Sequence, residues 1–231
     1  MEANSSARKA YRGMAMEGAI ARRYAKLRAS GDQLARWRQQ AARWTESLPD
    51  GARILEVAPG PGYLAIEFAR SGKFRVTGLD LSRTFVDLAE GNARQQGVTV
   101  EFRLGDAALM PFVDGTFDLV VCQAAFKNFG HPGTALDEMY RVLRSGGTAI
   151  IEDMRRDATD RSIHDEVASM RLGAWGAFWT RYILRRLRRR ALTPGGFQRL
   201  AEGSRFHGAS VSTTPMALEV RLTKPTYRVG A

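Results

Sequence analysis

The sequence predicts an α/β fold: a doubly wound, mostly parallel sheet of seven strands, preceded by an N-terminal helical segment. Three observations carry that prediction. Between residues 53 and 153, apolar runs of strand length alternate with segments of helical periodicity, the pattern of a parallel sheet covered on both faces. A glycine-rich loop, Pro59-Gly60-Pro61-Gly62, joins the first of these strands to the first helix. Two further short segments, 210–214 and 218–223, have strand character and are expected to close the sheet as an antiparallel pair.

From about residue 8 to 47 the chain reads as helical. Ile20, Tyr24, Leu27, Leu34, Trp37, Ala41 and Trp44 recur at intervals of three, four and seven, with arginines between them. Ser30-Gly31-Asp32 divides this stretch into two helices, and Pro49-Asp50-Gly51 turns the chain into the first strand. Strand 53–58 leads to a helix over 63–71, strand 75–80 to a helix over 84–96, and 98–104 is a third strand. A fourth strand, 117–122, precedes a helix over 134–143, which Gly146-Gly147 is expected to close before a fifth strand at 148–153. Residues 160–190 read as one or two helices and 193–202 as a short capped helix. The expected organisation is a helical cap over 1–48, a ligand-binding core over 49–155, and acceptor-side helices with the closing strands over 156–231.

Composition narrows the function classes. The 231 residues are 44% hydrophobic and 26% charged, ordinary for a globular domain. No apolar stretch approaches the roughly 20 residues of a spanning helix, and the first residues lack the apolar core of a secretory signal. The one cysteine, Cys122, allows neither an internal disulfide nor a thiolate cluster, so a reducing cytoplasm is the expected location. His131, His164 and His207 lie far apart, and no metal site is expected. The net charge of +11 is uneven: residues 1–50 carry a net +5, residues 51–160 a net −3 and residues 161–231 a net +9. Nucleic-acid or anionic-membrane attraction, if any, therefore belongs to the flanks and above all to Arg185–Arg190.

The loop over Glu56–Gly62 follows a strand and opens a helix, where free amides favour the polar end of a ligand. Gly60, Gly62 and Ala65, with Asp80 twenty residues beyond the first glycine, equally match the dinucleotide fingerprint, so the loop alone does not separate NAD from other adenosine cofactors. The following acids are more telling. Asp80 ends the second strand, where a carboxylate can accept both ribose hydroxyls. Asp106 follows the third, where a carboxylate can accept from an adenine amino group. An acid after each of these strands describes a cradle for a single adenosine.

With ILEVAPGPGYLA, VTGLDLS, GDAALMPF, FDLVVCQAAF and EMYRVLRSGG in that order, residues 50–155 resemble the class I S-adenosylmethionine (SAM)-dependent methyltransferases, nearest the ubiquinone/menaquinone-biosynthesis-like small-molecule group. The resemblance implies a Rossmann-like core with an N-terminal helical lid, SAM as cofactor and S-adenosylhomocysteine as product. It implies that Glu56, Ala58, Pro59, Gly60 and Gly62 line the methionine moiety, Asp80 and Leu81 the ribose, Asp106 and Ala107 the adenine, and that Gln123 faces the sulfonium. Ala58-Pro59 departs from the family's usual glycine followed by a small residue. Tyr24 corresponds to a lid tyrosine that contacts the cofactor.

His131, His164 and Asn128 are candidate catalytic groups, each with a structural alternative as a loop, helix-surface or turn residue. Phe126, Lys127, Trp175, Phe178 and Trp179 are candidates for an acceptor pocket, the aromatics having core packing as their alternative. The expected function is methylation of a small aromatic or apolar metabolite, as in natural-product or quinone biosynthesis, by a monomer or homodimer without a stable protein partner. An RNA methyltransferase using the basic flanks and a non-catalytic nucleotide-binding module are the alternatives.

Overall fold

The computed structural model describes residues 11, 16–28 and 31–226. The helical reading of residues 8–10 and 12–15 and the break at Ser30 lie outside the described residues, as do the side chains of Leu27 and Asp32. Where described, the N-terminal segment forms α1 (Gly18–Arg28) and α2 (Gly31–Thr45). The core then runs β1 (Arg53–Val57), α3 (Tyr63–Ala69), β2 (Arg75–Asp80), α4 (Arg83–Gln95), β3 (Glu101–Leu104) and β4 (Phe117–Gln123). A 3-10 turn at Phe126–Asn128 leads to α5 (Pro132–Val142) and β5 (Leu143–Met154). The chain finishes with α6 (Asp160–Ser169), α7 (Ala174–Arg188), α8 (Pro194–Glu202), β6 (Ser210–Thr213) and β7 (Ala217–Thr223).

One seven-stranded sheet has the order β3-β2-β1-β4-β5-β7-β6. Strands β1 to β5 pair in parallel, while β7 runs antiparallel to β5 and β6 antiparallel to β7. This is the expected doubly wound, Rossmann-like α/β architecture. Central strands covered on both faces read as unbroken apolar runs, and β1 is buried from Ile54 onward. Alternate residues then feed two cores. Ile54 packs with Trp37, Trp44, Leu64 and Phe68 beneath α2 and α3, whereas Leu55 and Val57 meet Leu136, Met139 and Phe197 of α5 and α8. Hydroxyl caps fix three helix starts: Ser82 accepts from the Phe85 N–H, Thr159 from that of Ser162, and Thr193 from that of Gly196.

One expectation needs correction. Gly146-Gly147 does not close a helix; both residues lie inside β5, which begins at Leu143. The helix ends earlier because Leu143 is already extended (φ −70°, ψ 139°). The pairing of β5 with β4 shifts register between Phe117 and Leu119. The glycines serve that irregularity: Gly146 has φ +78°, and a Cβ on Gly147 would come within 3.1 Å of the Asp118 carbonyl oxygen. The short β3 begins three residues later than expected, at the sheet edge, where it pairs on one side only.

Candidate functional site

The strand order reverses between β1, which leads outward to β2 and β3, and β4, which leads to β5. Ligand crevices form outside the carboxyl ends of strands at such a point. An open cleft lies there, its space about 500 Å³ with the solvent-filled mouth included. Ala58 from the loop after β1, Asp80 and Leu81 after β2, Asp106 and Ala107 after β3, and His131 at the start of α5 all line it. These residues are far apart in sequence and converge because parallel strands end on one edge.

The loop after β1 is tied to the end of β2. Ala58 has φ +58°, a left-handed conformation uncommon for a residue with a side chain, and its N–H donates to the Leu79 carbonyl at 2.8 Å. The Gly60 N–H donates to Asp80 Oδ2 and the Ser82 N–H to Oδ1, each at 2.9 Å. Asp80 thus shapes the loop as well as ending its strand. Gly62 serves packing: a Cβ there would sit 2.8 Å from both Ala89 and Phe102, whereas the space beside Gly60 is open out to Phe85 at 4.0 Å. Pro59 lies against the back of the loop, its ring 3.1 Å from where a Cβ on Gly78 would be.

Burial sets the electrostatics. It pushes the Asp80 carboxyl up to about 6, against the opposing pull of its backbone donors. Glu56 is pushed to about 8, again by burial, and its Oε2 has no hydrogen-bond partner among the described residues. Asp106 is differently placed: Oδ1 accepts from the Ala108 N–H at 2.9 Å, in a turn closed by Leu109 N–H to the Asp106 carbonyl. α5 pins the rest of that loop. Glu138 Oε2 accepts from the Met110 N–H at 2.7 Å, and the Arg141 guanidinium donates to the carbonyls of Met110 and Phe112 and to Asp114.

Other residues singled out from the sequence lie elsewhere. Gln123 donates to Gln40 of α2 at 2.9 Å and to Glu152 of β5 at 3.3 Å. Lys127 forms an ion pair with Asp153 at 2.8 Å, both side chains 6% exposed. Asn128 is buried with its Oδ1 unpartnered, and Phe126 packs between Phe129 and Phe197. Tyr24 meets Phe85 edge-on at 5.9 Å. His164 is exposed on α6, and Trp175, Phe178 and Trp179 are exposed on α7 rather than packed in the core or the cleft.

Two features escaped the sequence reading. Tyr11 lines the cleft and pairs with Phe129 in an isolated antiparallel bridge; burial raises its hydroxyl's pKa. An isolated tyrosine in a polar stretch gives no pattern to read. The acids ending β5 did carry a signal, since Glu152-Asp153 places two carboxyls at a strand's carboxyl end, the first half-buried and the second buried. Glu152 is raised by burial and held by Gln40 and Gln123.

The comparisons with known proteins agree with this fold and cleft. Residues 55–151 match the family model described as a methyltransferase domain. The chain is 37% identical over 117 residues to a demethylmenaquinone methyltransferase of Deinococcus radiodurans, covering 50% of this chain and 48% of that protein. It thus spans about half the length of the curated relatives it matches. In fold it is similar to a SAM-dependent methyltransferase of Aquifex aeolicus (TM-score 0.66, 16% identity, 88% of this chain and 98% of the other). A [4+2]-cyclase, SpnF, shares the fold as well (TM-score 0.55, 21% identity, 83% of this chain and 81% of the other). Architecture alone therefore does not fix the reaction.

Proposed function

We propose that the chain is a SAM-dependent methyltransferase acting on a small aromatic or otherwise apolar acceptor of the quinone or secondary-metabolite kind. The carrying observation is the convergence of Ala58, Asp80 and Asp106 on one cleft whose remaining wall is largely apolar. The residues fit the cofactor. Asp80 offers a buried carboxylate to vicinal hydroxyls, Asp106 an acceptor to an amino group, and Leu81 and Ala107 flank a ring. The unpartnered Glu56 oxygen behind the loop is a further acceptor near the end of β1.

SAM, when bound, supplies an activated methyl and its own leaving group. The chain's part is to hold an acceptor atom about 3–3.5 Å from that methyl, in line, and to keep water out. His131 is the imidazole lining the cleft and the candidate to take a proton from an acceptor that must lose one. In this reading residues 1–48 are a lid, supported by Tyr11 at the cleft, residues 49–155 hold the cofactor, and residues 156–231 face the acceptor. The single cysteine goes with a cytoplasmic location. No helix among the described residues is long and apolar enough to cross a membrane.

Calorimetric titration with SAM, S-adenosylhomocysteine and NAD tests the proposal: the first two should bind, and tight NAD binding without SAM binding would sink it. The pH profile adds a check. Asp80 accepts ribose hydroxyls as the carboxylate, which it loses as pH falls through about 6. SAM affinity should therefore decline from pH 7.5 to 5, while Asp80→Asn binds about tenfold or more weakly at pH 7.5 and loses this pH step.

A further inference from the structure

No residue of α7 is buried. Its inner side, Ala177, Thr180, Leu184 and Leu187, is half-buried and turned toward α6. The outer side carries Trp175 (76% exposed), Phe178 (53%), Trp179 (52%), Tyr182 (46%) and Ile183 (51%), and Met170 and Leu172 extend it into the preceding turn. At 100° per residue the outer five share one face. The rings stack edge-to-face on one another, Trp175 to Phe178 at 6.4 Å, Phe178 to Trp179 at 5.7 Å and Trp179 to Tyr182 at 5.8 Å. They form a contiguous apolar ladder, and such patches on a monomer mark an interaction surface.

The same face continues into Arg185 and Arg186, and Arg189 and Arg190 follow exposed in the turn after the helix. Among the described residues Arg186, Arg189 and Arg190 have no carboxylate within 4.0 Å, while Arg185 reaches Asp160 only at 3.4 Å. Arg186 instead donates to the Tyr182 hydroxyl at 3.2 Å. The excursion through α6 and α7 leaves and rejoins the fold beyond the carboxyl end of β5, where the Arg156 N–H donates to the Leu192 carbonyl at 3.0 Å. That is the sheet edge on which the cleft opens.

We propose that this face of α7 docks on an anionic lipid bilayer, an inference that goes beyond methyl transfer and does not rest on it. Trp and Tyr rings settle at headgroup level, Ile and Leu reach the acyl boundary, and arginines snorkel to lipid phosphates. A nucleic acid would satisfy the arginines but leave Met170, Leu172 and Ile183 in water. A second copy would bring no carboxylate to Arg186 or Arg189: packed parallel it sets arginines beside arginines, and packed antiparallel it lays them over rings.

Co-sedimentation of the full chain with phosphatidylcholine vesicles, with and without phosphatidylglycerol, tests the proposal. Trp37 and Trp44 are 4% and 3% exposed, so a shift in tryptophan emission reports on Trp175 and Trp179. The chain should bind the phosphatidylglycerol vesicles with a blue shift, and weaken with added salt. Both F178A/W179A and R186E/R189E should weaken binding about tenfold or more while keeping the wild-type melting profile. Failure to bind at low salt overturns the proposal. So does binding that the aromatic substitutions leave unchanged, a lipid-independent dimer that those substitutions dissociate, or retention on polyuridylate that phosphatidylglycerol vesicles do not displace.

Discussion

Ala58 holds a left-handed backbone at φ +58° with a methyl group attached, and Ala124, directly after β4, does the same at φ +56°. The two strands flanking the reversal of strand order thus both end in a turn that most L-residues avoid. Strain of this kind costs about 1–2 kcal/mol per residue, part of which a glycine would give back through its freer unfolded chain. Ala58→Gly should therefore stabilise the protein by about 0.5–1 kcal/mol in urea unfolding. A lower stability would show that the methyl packs more than it strains. Glu56 gives a second residue-scale test. The unfolded carboxyl releases its proton near 4.5, the folded one near 8. Between those values the folded chain binds more protons than the unfolded one, so this residue makes stability fall as pH rises. Glu56→Gln removes that contribution, and its melting temperature should decline less between pH 5 and 8 than that of the wild type.

Among the elements, α5 does more than cover the sheet. Glu138 and Arg141 hold the loop after β3 through its main chain, so the side of the cleft bearing Asp106 depends on two α5 side chains that do not themselves line the cleft. Arg141→Ala should destabilise the fold by about 2–3 kcal/mol and weaken SAM binding more than Arg141→Lys, as read by calorimetry. An unchanged affinity would mean that the loop keeps its shape unaided. The central strands were legible because burial on both faces leaves unbroken apolar runs, and the helices because one covered side leaves a three- and four-residue period. Asp80, Asp106 and Ala58 were legible because each abuts a strand end. The destinations of Gln123 and Lys127 were not: their partners, Gln40 with Glu152 and Asp153, come from elements that no local pattern connects to them. For the aromatic set of α7, helical spacing was visible, but the direction of its face depends on which side α6 occupies.

For the molecule as a whole, the outer face of α7 and the net +9 of residues 161–231 lie in the part of the chain that follows β5. The opposite end is fastened to that part too. Trp44 Nε1 donates to Glu219 Oε2 at 3.0 Å across 175 residues, and Arg43 pairs with the same carboxylate at 2.5 Å. A ribosome adding roughly 5–20 residues per second needs about 10–35 s to travel that distance. During that interval α2 has been synthesised while the strand that receives Trp44 does not yet exist. Its apolar side can already settle on α3 and β1, while Arg43 and the Trp44 N–H stay without their carboxylate until β7 pairs between β5 and β6 and Glu219 latches the early helix to the late strand.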